Sequence, residues 1–208
     1  MLTLVYKDLI VQRIVILTYS VVTILFATQM LSVDAPLVIV AMLAMAFTFA
    51  SAAHDDRANS HLLLNSLPVT RREIVTAKYV YHVAASLGFV GMAAIARTLL
   101  GMMSPHAALS QTLITMTVIT WYLAIFFPMY YGLGPRFVQV GMIVFFVTIM
   151  TIAPWAYNVA VKHNFWGLPE LIASLPAVPL YLLLAAATFA LLLVSWRVSV
   201  WLYSRKSF

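Results

Sequence analysis

Long apolar stretches alternate with short polar ones along this chain. Six of the apolar stretches carry few charges and are 17–27 residues long, against about 20 that an α-helix needs to cross a bilayer. They cover about residues 14–31, 37–53, 74–100, 109–131, 137–157 and 176–196. The pattern predicts an all-α, polytopic integral membrane protein with six transmembrane helices, built as a single transmembrane domain over residues 1–208.

The first 13 residues precede these stretches and have a different pattern. Apolar and polar side chains fall on opposite sides of a helix there, which is typical of a helix lying in the membrane interface. The apolar side holds Leu2, Val5, Tyr6, Leu9 and Ile10, and the polar side holds Lys7, Asp8, Gln12 and Arg13. We therefore predict a short interfacial helix over residues 1–13.

The most polar part of the chain is a predicted loop over residues 54–73, between the second and third apolar stretches. Residues 60–67 within it are compatible with a short helix that Pro68 ends. This predicted helix carries a leucine cluster, which we define as Leu62, Leu63, Leu64 and Leu67. Such an apolar face on the aqueous side of a membrane protein favours docking of a partner.

A second helix is predicted to begin directly after Pro68. Thr70 is followed three residues later by Glu73, and this spacing is a capping box, in which each side chain reaches a backbone N–H at the helix start. Val69 and Ile74 occupy the two positions of a hydrophobic staple. The loop is thus predicted to contain one short helix that leads into the longer third span.

Composition agrees with a membrane protein. The 208 residues are 64% hydrophobic and 9% charged, whereas soluble domains are near one half and one quarter. The absence of cysteine excludes disulfides, cysteine zinc sites and thiol catalysis. The net charge of +6 is interpreted as a signal of membrane topology rather than of nucleic-acid binding.

Basic residues are distributed unequally between the two sides of the predicted helices. Because lysine and arginine concentrate in cytoplasmic loops, both termini and the central loop are predicted to be inside. The membrane is expected to be the cytoplasmic membrane of a bacterial cell. The predicted inner side holds Lys7, Arg13, Arg57, Arg71, Arg72, Lys78, Arg136, Arg197, Arg205 and Lys206, and the outer side holds Arg97 and Lys162. Lys78 and Arg97 bracket the third span, and both are predicted to extend towards opposite interfaces.

Two groups of polar residues are candidates for chemistry. His54, Asp55, Asp56 and His61 could bind a metal in an intramembrane enzyme, or they could be solvated and face a partner. The first and fourth spans could line a polar substrate path, or their hydroxyl groups could bond between helices. The path residues would be Thr18, Thr23, Gln29, Thr112 and Thr115.

Sequence motifs for catalysis are missing. The chain has no G-x-x-x-x-G-K-[ST] loop for nucleotides, no G-x-S-x-G and no H-E-x-x-H, and no acidic residue is expected inside a span. His82 is interpreted as an interfacial histidine near Lys78 rather than as a proton relay. We predict no cofactor, no metal and no enzymatic activity, with an intramembrane metal enzyme or a non-transporting scaffold as the alternatives.

The central loop resembles a known family. The matching residues run from Leu63 and Leu64 through Leu67-Pro68-Val69-Thr70-Arg71-Arg72-Glu73-Ile74-Val75 to Lys78, and Phe127, Pro128, Tyr130 and Gly132 match a second turn. Both resemble the type 2 permeases of ABC transporters, in the branch of short six-span subunits. His54-Asp55-Asp56-Arg57 departs from the acidic and lysine residues common there.

The resemblance implies the permease subunit of an ATP-driven exporter. It implies a second permease copy as a homodimer partner, separate ABC ATPase subunits, and a hydrophobic or amphipathic substrate such as a peptide. The helix after the second span would be a coupling helix seated on the ATPase. Its anchors would be the leucine cluster, and its polar contacts Arg57, Arg71, Arg72 and Glu73.

Overall fold

The computed structural model describes residues 2–28, 36–57, 69–134, 137–138, 155, 159 and 177–205. These residues form helices and contain no strand, which confirms the predicted all-α class. The principal helices are α1 (Leu2–Val11), α2 (Arg13–Ala27), α3 (Pro36–Arg57), α4 (Arg71–Leu99), α5 (Pro105–Leu133) and α6 (Ala177–Arg205).

Helix α4 is the centre of the bundle. It packs against each of α1, α2, α3, α5 and α6, whereas α6 packs chiefly on α5 and α4. Its inward side chains include Tyr79, Tyr81 and Phe89, which are almost completely buried. The helix that follows the polar loop is therefore the one through which the other described helices are joined.

Four of these helices, α3 to α6, are long and apolar enough to cross a membrane. Helices α1 and α2 would together make a fifth, but they meet at a 70° bend. This bend agrees with a separate helix before the first span, as the sequence predicted. The predicted fifth span, over 137–157, lies almost wholly outside the described residues, so six spans and their orientation stay predictions.

Several helix bounds differ from those predicted. Helix α3 continues through Arg57, so His54 to Arg57 form its last turn. The prediction that a loop begins at residue 54 is therefore wrong. Helix α6 continues past residue 196 to Arg205. Both extensions carry polar side chains that find partners on neighbouring helices, such as Asp55 with Lys78 and Ser199 with Tyr79. These tertiary contacts stabilise the last turns of α3 and α6, whose polar residues favour a loop when only the sequence is considered.

The start of α4 was predicted correctly. The Thr70 hydroxyl accepts a hydrogen bond from the Glu73 N–H at 3.2 Å, and the Thr70 N–H donates to Glu73 Oε2 at 2.9 Å. The capping box is thus complete. It orients the chain as it enters α4 from the predicted coupling loop.

A proline in α5 is compensated by the last helix. Pro128 has no N–H, so the Ala124 carbonyl lacks its ordinary partner four residues on. The Ser195 hydroxyl donates to that carbonyl at 2.7 Å. Since Ser195 has one proton and uses it there, the Tyr79 hydroxyl donates to Ser195 Oγ, 2.6 Å away. This chain of bonds ties α4, α5 and α6 together in the buried core.

Candidate functional site

A buried charge cluster lies where the polar loop leaves and re-enters the bundle. We call it the loop-base cluster, and it consists of Lys7, Asp8, Asp55 and Lys78. The Lys78 ammonium is 2.8 Å from Asp8 Oδ2 and makes an ion pair with Asp55. Lys7 adds a fourth charge, 3.2 Å from Asp8 Oδ1. The charges alternate in sign, so each buried charge lies beside one of opposite sign.

The loop-base cluster corrects three predictions. Lys78 does not extend to the interface, because two carboxylates hold it inside, where its side chain is 9% exposed. Asp55 is not solvated, since it is buried against Lys78. Asp8 faces the protein, so the polar side of α1 points inwards, while Tyr6 is exposed on the other side. An acidic residue buried in the bundle was not expected from the sequence.

Two further polar contacts lie beside this cluster, one from α4 to the junction of α1 and α2 and one within α4. The Tyr81 hydroxyl donates to Gln12 Oε1 at 3.0 Å, and both side chains are buried. His82 lies one turn after Lys78, with its Nδ1 2.8 Å from the Lys78 carbonyl oxygen. His82 therefore is near Lys78, as predicted, but it is buried among aromatic rings instead of lying at an interface.

The metal-site alternative gains no support from the described residues. Asp56 accepts a hydrogen bond from the Tyr130 hydroxyl at 2.7 Å, Asp55 is held by Lys78, and His54 is exposed. His61 lies outside the described residues. In the described ranges no three His, Asp or Glu side chains converge as metal ligands would. The two neighbouring carboxylates thus act as separate structural contacts.

Two arginines predicted as polar contacts for a partner lie against α6. The Arg71 guanidinium donates to the carbonyl oxygens of Tyr203 and Ser204, each at 3.0 Å. These carbonyls are in the last turn of α6, where a cation is favourable. Arg72 lies over the Trp196 ring, 4.9 Å from its centroid, and the Trp196 indole donates to Thr76 at 3.0 Å. Both arginines consequently join the start of α4 to the end of α6.

Only some of the other predicted coupling residues lie among the described residues. Leu62, Leu63, Leu64 and Leu67 lie outside the described residues. Arg57 is the last residue of α3, and nothing is described of its side chain. Glu73 is used in the capping box. The leucine cluster is therefore still a prediction, while its flanks on α3 and α4 are described.

The predicted path residues have different environments. Thr23 is fully buried on α2, and its hydroxyl has no hydrogen-bond partner. Thr115 is buried on α5, with Thr112 half-buried one turn before it, and the exposed Thr18 donates to its own helix at Ile14, 2.9 Å away. Gln29 lies outside the described residues. Helix α2 packs on α3 and α4, whereas α5 packs on α3, α4 and α6. Helices α3 and α4 therefore contact both helices that carry predicted path residues.

Several contributors to this region were not found from the sequence. Asp8 and Gln12 were identified only as the polar side of an interfacial helix, and Tyr79 and Ser195 were not singled out. One signal was available, since Ser195 and Ser199 are spaced one turn apart at the end of the sixth apolar stretch. Polar residues at that spacing point to a neighbouring helix.

The sequence matches the family model described as ABC-2 family transporter protein over residues 3–204. No curated protein matches it.

Proposed function

This chain belongs to the ABC-2 transporter family, and we propose that it is the permease subunit of an exporter driven by a separate ATPase subunit. Family membership makes it a multi-pass membrane subunit of an ABC transporter. Export, the coupling of ATP hydrolysis through the 54–73 loop, a homodimeric permease pair and a location in the bacterial cytoplasmic membrane belong to the proposal.

The observation that carries the proposal is the bracing at both ends of the loop. Before it, Asp55 and Asp56 on α3 contact Lys78 on α4 and Tyr130 on α5. After it, Arg71 and Arg72 on α4 contact α6. A force applied to residues 58–68 would therefore reach α1, α3, α4, α5 and α6 through described contacts, as a coupling element requires.

The proposed mechanism needs no chemistry on this chain. ATP binding closes the ATPase pair, and the leucine cluster, docked on it, moves with it. The base of the loop transmits this displacement to α3 and α4, because charged and capped contacts at short distances resist local deformation. The helices then shift between inward and outward openings, which is a change of population between two states.

The substrate is proposed to be hydrophobic or amphipathic, with a peptide as the first candidate. Thr23 supports a polar path through the bundle, since its buried hydroxyl has no partner and could be offered to a passing polar group. Thr115 is the corresponding candidate on α5. Both alternatives from the sequence, a metal enzyme and a scaffold, lack a comparable observation.

Co-purification tests the proposed coupling. We expect Leu63→Asp/Leu64→Asp to abolish recovery of an ABC ATPase with the tagged chain, because a charge in a desolvated apolar anchor removes most of its binding energy. Leu99→Asp is the matched control, as Leu99 is 81% exposed at the other end of α4 and should leave recovery unchanged. Retention of the ATPase by the double variant, with an unchanged elution profile, would contradict the proposal.

A further inference from the structure

Helix α6 carries a continuous surface that combines apolar side chains with arginines. One groove on it, of about 650 Å³, is lined by Leu193, Val194, Arg197, Val198 and Trp201. A second groove, of about 400 Å³, is lined by Arg72, Trp196, Arg197, Val200 and Trp201. Arg197 and Trp201 belong to both, so the grooves meet at these two residues.

Among the described residues, the arginines at this surface have no acidic partner. Arg72 and Arg205 lie over the rings of Trp196 and Trp201, at 4.9 and 3.8 Å from the ring centroids. Arg197 is exposed. Each acid among the described residues is engaged elsewhere: Asp8 and Asp55 with Lys78, Asp56 with Tyr130, and Glu73 with Thr70. Within the described part of the chain, these cations are thus not neutralised by the protein.

From this arrangement we propose a binding site for an anionic glycerophospholipid on α6. The headgroup phosphate lies between Arg72 and Arg197, where two guanidinium groups supply charge-assisted donors. An acyl chain lies along Leu193, Val194 and Val198, which the groove leaves exposed. Trp201 lines both grooves one turn after Arg197, so it contacts the lipid near the headgroup, as an aromatic residue at the membrane interface does.

Charge complementarity selects the anionic class over zwitterionic lipids. A basic pocket on a transmembrane surface attracts an anionic headgroup, and each arginine near the surface favours the anionic lipid about fivefold. A zwitterionic choline headgroup carries its own cation, which would approach the arginines unfavourably. The site does not depend on the proposed function, since it rests on α6 and the start of α4 alone.

Quenching of tryptophan fluorescence by brominated lipid tests the site. The full chain is reconstituted in phosphatidylcholine bilayers that contain brominated phosphatidylglycerol or, separately, brominated phosphatidylcholine at equal mole fraction. The difference between the wild type and Trp201→Phe reports quenching at Trp201. We expect stronger quenching by the phosphatidylglycerol, and a roughly fivefold loss of this selectivity in Arg197→Gln or Arg72→Gln.

Arg13→Gln is the matched control, because Arg13 is an exposed arginine on α2, which packs on α1, α3 and α4. The Arg13→Gln variant should keep the wild-type selectivity for phosphatidylglycerol over phosphatidylcholine. Should Arg197→Gln not fold, displacement of brominated phosphatidylglycerol from the wild type by unlabelled phosphatidylglycerol or phosphatidylcholine gives the same comparison. Equal quenching by both lipids, or selectivity that survives Arg72→Gln/Arg197→Gln, overturns the proposal. It is also overturned if neither lipid quenches Trp201, since a second protein surface then covers the site.

Discussion

The ammonium of Lys78 lies 2.8 Å from a carboxylate oxygen of Asp8, which joins the first helix of the chain to the helix that follows the polar loop. The same ammonium pairs with Asp55 at the end of α3. One buried cation therefore holds three helices at the point where the loop begins and ends. These two ion pairs tie the base of the loop to the bundle.

Removing the charge of Lys78 should destabilise the protein strongly. Lys78→Met keeps much of the side chain's volume but leaves Asp55 buried without its cation and Asp8 paired with Lys7 alone. Loss of one partner from a buried ion pair costs about 3–5 kcal/mol, so we expect a clear fall in the unfolding midpoint in detergent, measured by tryptophan fluorescence.

A triple variant separates charge from packing. Asp8→Asn/Asp55→Asn/Lys78→Met has no uncompensated buried charge, since Lys7, which loses Asp8, has a side chain that is 37% exposed. We expect this variant to recover most of the midpoint lost in Lys78→Met. If the triple variant is no more stable than the single one, the ion pairs are not what holds this region.

The bond from Ser195 to Ala124 should depend on Pro128. Ser195→Ala leaves the Ala124 carbonyl buried without a donor, which costs about 1–3 kcal/mol. In a Pro128→Ala background the N–H of residue 128 can serve that carbonyl. A double-mutant cycle should consequently show a smaller cost of Ser195→Ala there, by roughly 1 kcal/mol. Identical costs in both backgrounds would mean that Ser195 does not compensate for the proline.

Arg71 and Arg72 should differ in their effect on stability. Arg71→Gln removes a cation that donates to two carbonyls in the last turn of α6, and we expect it to cost about 1–2 kcal/mol. Arg72→Gln removes one cation–π contact, worth about 0.5–1 kcal/mol at an exposed site. Thermal unfolding of the two variants side by side checks the order, and a larger loss for Arg72→Gln would contradict these contacts.

Thr23 offers a test of the proposed substrate path. Thr23→Val keeps the shape of the side chain and removes a buried hydroxyl that has no partner, so stability should hold or rise slightly. Export by the reconstituted transporter should fall if this hydroxyl contacts the substrate. Thr117→Val is the control, because the Thr117 hydroxyl bonds to Leu113 in its own helix. Equal export by both variants would remove Thr23 from the path.

The structural features that could be predicted from the sequence are those that depend on a local pattern of residues. The helical class, the four spans visible as α3 to α6 and the Thr70 to Glu73 capping box all follow from hydrophobic runs or fixed short spacings. Such features need no knowledge of which helices are neighbours.

The predictions that were wrong concern contacts between residues far apart in the sequence. Asp8, Asp55 and Lys78 each looked solvated or interfacial alone, because a single sequence does not tell which charges meet in the folded bundle. The same holds for Arg71, whose carbonyl partners at Tyr203 and Ser204 belong to a backbone and leave no mark in the sequence. The extension of helix α3 through Arg57 was not predicted either, because it depends on the contact of Asp55 with the distant Lys78.

Cross-linking from the loop tests the account most directly. The chain has no cysteine, so Ser66→Cys provides a single attachment point within the predicted coupling helix. With a photoactivatable maleimide on this cysteine, in membranes where the whole transporter is expressed, we predict a covalent product with an ABC ATPase subunit, and no labelling of intact cells by a membrane-impermeant maleimide. Labelling from outside the cell, or a purified chain that hydrolyses ATP without a partner, would contradict the account.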